Sequence, residues 1–418
     1  MKPLRICIDS RFVTGTFGGC EQFVIGLASG LSKLTDGSEE YFFLTYLDED
    51  EWLRPYISPP CRILPASLRS HPAGAKRLLA VVPGAKWAWE KWSPWIGRRA
   101  ISIPHSDGRI EREGIDLMHF TQPIAFLTGI PSIYHPHDLQ HVHLPQFFTP
   151  RIRMARDLLF RTFCGKASMV SVTSTWGKRD LIRQYGLPQE KIMVVPLAPP
   201  LSAYPLVGDD DLAATREKYR LPERFILYPA QTFPHKNHLG LLDALALLRD
   251  RRELRIPLVC SGHKNEFFKV IEKRVSQLGL KEQTRFVGFV SPVELQCLYR
   301  LCTAVVIPTK FEAASFPLWE AFLAGAPAAC SNVTSLPEQA DDAALIFEPD
   351  RADQIASAIE RLWTDSALCR RLVEKGHRQV SLFTWERTTR LFRAHYRRLA
   401  SRALTDEDRS LLSEPDRL

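Results

Sequence analysis

No apolar run in these 418 residues approaches the roughly 20 that a membrane-spanning helix needs, so no transmembrane segment is expected. No Cys-x-x-Cys occurs, and the nine cysteines are odd in number. Several sit inside apolar runs, such as Cys7 in Arg5-Ile6-Cys7-Ile8 and Cys260 in Leu258-Val259-Cys260. Free buried thiols in a reducing compartment fit this better than disulfides, and no zinc spacing is visible. Neither a Gly-x-Gly-x-x-Gly fingerprint nor a Walker sequence is present, which disfavours a nicotinamide dehydrogenase. Long-period repeats and low-complexity tracts are also missing. The start Met1-Lys2-Pro3-Leu4 runs at once into a strand-like segment and leaves no room for a signal peptide. The expectation is a cytoplasmic protein, soluble or peripheral at the inner membrane face.

What is present is a globular composition. Hydrophobic residues make up 45% and charged residues 24%, which excludes disorder across the whole chain. The length suits two domains. A net charge of +8 suits a phosphorylated substrate or an anionic membrane surface, and it is also common in cytoplasmic proteins.

Hydrophobic periodicity predicts strand, Gly-bearing loop and helix over Leu4–Ile8, Thr14–Gly19 and Glu21–Leu34, the opening of a Rossmann-type unit. Further strands are predicted at 42–46, 116–120, 132–135, 166–173 and 191–196. The proline-rich stretch 196–205 reads as a linker. A second alternation follows. Strands are predicted at 225–229, 257–261, 284–287, 304–307, 327–331 and 344–347, with helices between them. Such alternation implies parallel sheets covered on both faces, with binding at the carboxyl ends of the strands. The acid runs Asp48–Asp50 and Asp209–Asp211 read as solvated loops, and the chain beyond Leu404 as a frayed end.

The most informative segment runs from Phe311 to Pro327, after the strand Val305-Val306-Ile307. Glu312 falls in the loop at that strand's carboxyl end. Pro317 suits the first helical position and Glu320 the first turn. Free N–H groups at a helix start favour a diphosphate. A carboxylate such as Glu320 can accept both hydrogen bonds of a ribose diol. Two ordinary first-turn acids would look the same taken alone. Lys236, beside Asn237, can pair with a diphosphate, although most lysines are simply solvated.

The order of motifs weighs against the bland readings. Tyr228-Pro229-Ala230-Gln231, His235-Lys236-Asn237, Val259-Cys260-Ser261-Gly262, Arg285-Phe286-Val287-Gly288-Phe289-Val290, Leu298-Tyr299, Glu312 with Glu320, and Leu336-Pro337-Glu338 occur in sequence. Together they resemble the retaining family-4 glycosyltransferases, also called group 1 glycosyltransferases, strongly after residue 225 and moderately before. The resemblance implies an α/β GT-B fold of two Rossmann-like domains facing across a cleft. Residues 1–200 would bind the acceptor, 201–390 the nucleotide sugar, and 391–418 would form a helix and tail packing back on the first domain.

It also implies roles. Lys236 would meet the diphosphate, Glu312 the donor sugar and Glu320 the ribose. Ser315 and Phe316 would offer backbone N–H groups to the donor. Gly18, Gly19, Gln231, Gly262 and Val287 would line the donor site. His137 would reach the transferring sugar, and Asp138 would orient the site or the acceptor. The family places an Arg where this chain has Gln231, and glycines where it has Ala313 and Ser315. The implied activity is retaining, metal-independent transfer of a hexose from a GDP- or UDP-sugar, with GDP-mannose the family-weighted choice. The acceptor would be a glycan or a lipid-linked oligosaccharide in polysaccharide biosynthesis. A phosphorylase, a sugar-nucleotide epimerase or a non-catalytic partner subunit on the same fold are the alternatives.

Two further clusters stand out. His135, His137, His141 and His143 have a spacing a metal could use, but the family chemistry needs no metal and none is expected. Lys76–Arg99 places Trp87, Trp89, Trp92 and Trp95 among Lys and Arg, a composition suited to peripheral contact with an anionic membrane or to a packed helix pair. No nucleic-acid recognition fold accompanies it.

Overall fold

A computed structural model describes residues 2–12, 18–69, 101–200 and 206–416. The basic aromatic stretch Lys76–Arg99 and the loop Thr14–Phe17 lie outside these described residues. The chain divides into two compact units, Met1–Leu197 with Trp385–Arg417, and Ala198–Thr384. Each is a doubly wound α/β unit of the Rossmann type.

Among the described residues the first unit carries seven strands: β1 Leu4–Asp9, β2 Glu39–Leu47, β3 Cys61–Arg69, β4 Leu117–Phe120, β5 Ser132–Tyr134, β6 Met169–Val172 and β7 Ile192–Val194. Their order is β3-β2-β1-β4-β5-β6-β7. The described pairings are parallel, with Ile6 opposite Tyr41 on one side and Leu117 on the other. Ile6, Cys7 and Ile8 are all fully buried, because helices cover both faces and the strand needs no polar side. Burial also pushes the Cys7 thiol well above its ordinary range, so this cysteine is an inert core residue. All nine cysteines are free, six of them buried.

The second unit carries six: β8 Ile226–Pro229, β9 Leu258–Ser261, β10 Thr284–Gly288, β11 Ala304–Ile307, β12 Ala328–Ser331 and β13 Ala344–Phe347. Their order is β10-β9-β8-β11-β12-β13, again parallel. In both sheets the chain builds outward from a central strand to one side. It then returns to continue on the other. The reversals fall between β1 and β4 and between β8 and β11.

The first unit is completed by the end of the chain. The helix Trp385–Leu399 packs against the helix Gly19–Leu31. Two glycines one turn apart make the approach possible. A Cβ on Gly26 would overlap the Trp385 indole, and one on Gly30 would sit 2.6 Å from Thr389 and 2.9 Å from the Trp385 carbonyl. This seat places the return to the first unit at Trp385, ahead of the boundary expected at residue 390.

Charge then locks the tail. The buried Arg397 donates to both oxygens of Glu39 at 2.7 and 3.0 Å and to Asp408 at 2.8 Å. Arg393 pairs with Asp36. Asp408 belongs to a helix, Asp406–Ser413, where the sequence reading expected a frayed end. That helix forms because Thr405 and Asp408 cap it reciprocally, at 2.8 and 3.1 Å. The run Asp209–Asp211 is likewise no loop. It is the first turn of the helix Asp209–Lys218, where three carboxylates oppose the helix dipole. Among the described residues no helix is long and apolar enough to cross a membrane.

Gly26→Ala should cost the first unit about 1–3 kcal/mol, because the buried indole has nowhere to move. Urea unfolding followed by tryptophan fluorescence checks this. An unchanged midpoint would show that the two helices can part freely.

Candidate functional site

In open parallel sheets, ligands settle beyond the carboxyl ends of strands where the strand order reverses. In the second unit that point lies between β8 and β11. The loop after β8 carries Gln231 and Lys236. The loop after β11 carries Glu312 and Ser315.

The β8 loop is tied down along its length. The Tyr228 hydroxyl donates to the Lys236 carbonyl at 2.6 Å. The Lys310 amide donates to the His235 carbonyl at 2.7 Å. Asn237 adopts a left-handed conformation, φ 59°, and its side chain donates to the carbonyls of Pro308 and Pro349 at 2.9 and 2.8 Å. Its oxygen caps the helix His238–Arg252 by accepting from the Gly240 amide. Gly262, after β9, sits at φ 126°. A Cβ there would meet the Ala230 carbonyl and lie 2.9 Å from the Gln231 nitrogen. Only glycine lets these two loops approach so closely.

The β11 loop is held by the loop that follows the neighbouring strand β12. The Glu312 amide donates to the Thr334 hydroxyl at 3.1 Å, and the Glu312 carbonyl accepts from Ser335 at 3.0 Å. Besides these backbone ties, an ion pair joins the two loops, Lys236 Nζ with Glu312 Oε1, in side chains only 21% and 13% exposed. The structure thus brings together the residues expected for diphosphate and donor sugar.

Glu320 lies in the second turn of the helix Phe316–Ala324, not the first, because the helix begins at Phe316 with Pro317 just inside it. The side chain is 8% exposed and accepts from the Tyr299 hydroxyl at 2.5 Å. Ser315 departs from expectation. Its amide donates to Gln339 Oε1 at 2.8 Å and its carbonyl accepts from Gln339 Nε2 at 2.6 Å, so its N–H is not offered to a ligand. The Ala314 and Phe316 amides make no hydrogen bond among the described residues, and they are the ones available at this helix start. Val287 is half-buried on β10 at the sheet edge. The Gln231 side chain makes no hydrogen bond among the described residues.

In the first unit, Gly18 and Gly19 follow β1 and open the helix Gly19–Leu31, with Gly18 at φ 47°. His137 follows β5, also with positive φ, 62°. Its Nε2 lies 2.7 Å from the Thr121 carbonyl and 3.4 Å from Cys20 Sγ. A carbonyl only accepts, so Nε2 carries the proton and Nδ1 is left as the acceptor. Burial holds this ring neutral. Asp138 accepts from the Gln140 amide at 3.0 Å and pairs with Arg156 at 3.3 Å.

The remaining histidines diverge. His135 is buried with Nδ1 2.9 Å from Ser171, His141 is buried, and His143 pairs with Asp180 at 2.8 Å. Among the described residues no three His, Cys, Asp or Glu side chains are placed to hold a metal. Sequence reading missed Gln339, Thr334 and the hold of Tyr299 on Glu320. The one signal was the motif pair Leu298-Tyr299 and Leu336-Pro337-Glu338, which marked the neighbourhood but not the contacts.

Comparisons with known proteins bear on this geometry. A family model described as glycosyl transferases group 1 matches residues 213–379, and one described as glycosyltransferase family 4 matches residues 17–198. The chain is 29% identical over 271 residues to the O-antigen chain mannosyltransferase B of Escherichia coli, covering 62% of this chain and 71% of that protein. Among solved structures it is similar to sucrose-phosphate synthase of Thermosynechococcus elongatus, with TM-score 0.69 and 21% identity over 95% of this chain and 99% of that one. It is also similar to Anabaena HepE in complex with UDP and glucose, with TM-score 0.68 and 17% identity over 94% and 99% of the chains. These likenesses show the fold, GT-B.

Several imidazoles are held neutral by burial. His119, His235 and His238 are each pushed down to about 3, and His135 lies well below its ordinary value. Unfolding releases them to about 6.5. Above pH 6.5 they are neutral in both states and stability is flat. As pH falls below 6.5 the unfolded chain takes up protons that the folded one refuses. Each buried histidine then removes about 1.4 kcal/mol per pH unit. Urea midpoints should be level from pH 8 to 6.5 and fall steeply toward pH 5. A level profile down to pH 5 would refute neutral burial.

Proposed function

The chain belongs to the group 1, family-4 glycosyltransferases, enzymes that transfer hexosyl units, and on that premise we propose which hexose it moves and how. The donor is a nucleotide diphosphate hexose, GDP-mannose first among them, since the O-antigen chain mannosyltransferase B is a relative. The acceptor is a growing glycan or a lipid-linked oligosaccharide of polysaccharide biosynthesis. The observation that carries this reading is the Lys236–Glu312 pair at the strand-order reversal, beside the helix start with its unengaged Ala314 and Phe316 amides.

In this reading the diphosphate lies at that helix start with Lys236 against it. Glu320, held in place by Tyr299, accepts from the ribose diol. Glu312 accepts from the sugar hydroxyls. The bond from the sugar's anomeric carbon to the β-phosphate oxygen breaks. The acceptor oxygen bonds to the same face, and its proton passes to the departing phosphate oxygen. Configuration is retained and no separate base is required. Negative charge grows on the phosphate as the bond breaks, and the fixed ammonium and amide dipoles stabilise it there. Positive charge is thus supplied without a metal ion. In the first unit, His137 presents Nδ1 as an acceptor for a substrate hydroxyl. The Lys76–Arg99 stretch is assigned to an anionic membrane surface on composition alone.

Thermal melting with GDP, UDP, ADP and TDP, with and without EDTA, tests the donor site. One diphosphate at about 100 times its Kd should raise the melting temperature by roughly 5–10 °C. EDTA should leave the rise intact. Glu320→Ala, read against its own unliganded melting temperature, should abolish it. No rise with any nucleotide would refute the reading.

A further inference from the structure

The ion pair at the strand-order reversal joins two residues whose backbones cannot retreat. Lys236 is fixed by its carbonyl to Tyr228, and Glu312 by its amide and carbonyl to Thr334 and Ser335. Only the side chains can change partners. Neighbouring cations offer little help. Lys310 is paired with Asp350 at 2.5 Å, and burial keeps His235 neutral. Position 231, an Arg in relatives by resemblance, is an uncharged Gln here. On the function proposed above, Lys236 is the cation that meets the phosphate, and it already has a partner in Glu312.

A bare nucleoside diphosphate can satisfy Lys236 with its terminal phosphate. Doing so leaves the Glu312 carboxylate, 13% exposed, without its cation and close to a second negative charge. An unpaired, poorly hydrated charge is costly. An intact nucleotide sugar does both jobs. Its phosphate takes Lys236 while its sugar hydroxyls donate to Glu312. Every group that loses a partner gains one.

We infer that the Lys236–Glu312 pair is a specificity device that makes this site prefer the intact nucleotide sugar to the bare nucleoside diphosphate through exchange of partners. The inference rests on the function proposed above. It also gives the product a way out. Once the sugar has gone to the acceptor, Glu312 has lost its hydroxyl donors and recaptures Lys236, which loosens the remaining diphosphate. Specificity of this kind is a difference between two affinities, and the carboxylate acts on the unwanted partner.

Isothermal titration of GDP, GDP-mannose, UDP and UDP-glucose tests it on the full chain and on Glu312→Gln, Lys236→Met and the double variant, each checked for an intact melting transition. For the base that binds, the unaltered chain should hold the nucleotide sugar about tenfold or more tighter than its diphosphate. Glu312→Gln, of nearly the same size but uncharged, should tighten the diphosphate about tenfold and weaken the nucleotide sugar, so that the preference collapses. In the Lys236→Met background, adding Glu312→Gln should tighten the diphosphate by clearly less than the about tenfold seen beside Lys236, since only carboxylate–phosphate repulsion, and no ion pair, is left to relieve. Diphosphate affinity that is unchanged or weaker in folded Glu312→Gln overturns the inference while leaving the glycosyltransferase reading in place. Failure of the unaltered chain to bind any of the four overturns both.

Discussion

A parallel strand covered by helices on both faces has little room for polar side chains along its length. In β11 the side chains are apolar and buried, as are Ile6, Cys7 and Ile8 of β1, and the polar residues of the candidate site gather at the strand ends. Where the strand order reverses, two successive loops leave in opposite directions and open a crevice. The placement of the second unit's candidate donor residues follows from that constraint. Lys236 leaves β8, Glu312 leaves β11, and these are the two central neighbours of the sheet. The first unit repeats the arrangement with Gly18 after β1 and Thr121 after β4.

What surrounds these loops is rigidity by hydrogen bond rather than by regular structure. Tyr228, Asn237, Thr334, Ser335 and Gln339 each fix a backbone group of the two loops. A site built to stabilise charge needs its dipoles held before the substrate arrives, since dipoles that must turn during the reaction lose much of their benefit. Burial makes a matching contribution on the other unit. It keeps His137 neutral, and Thr121 selects which ring nitrogen carries the proton.

Much of this was legible in the chain. The second unit's six strands were placed within a residue or two, because buried apolar runs flanked by Gly, Pro and Asn leave little ambiguity. The candidate donor residues were readable for the same reason, as polar residues just past those runs. The misses have separate causes. Strand β3 was overlooked because Arg62, Pro65 and Arg69 interrupt it, which only a sheet-edge position tolerates. The helix Pro150–Lys166 buries only Phe160, Phe163 and Cys164, so its periodicity is faint. Ser315 was credited with a free amide because its partner, Gln339, lies 24 residues further on, and no local pattern announces such a contact. The helix Asp406–Ser413 looked like a loose end because its purpose is to bring Asp408 to Arg397.

The seat of Trp385 against Gly26, together with the Arg397–Glu39 pair, means that the first unit is assembled from both ends of the chain. A ribosome makes the segment Met1–Leu197 before it makes Trp385–Arg417. During synthesis the segment Ala198–Thr384 is complete, and free to fold, while the earlier segment still lacks its closing helix. Until that helix emerges, Glu39 has no guanidinium and the groove along Gly26 and Gly30 stays open to water. The half of the protein made first is therefore the half finished last.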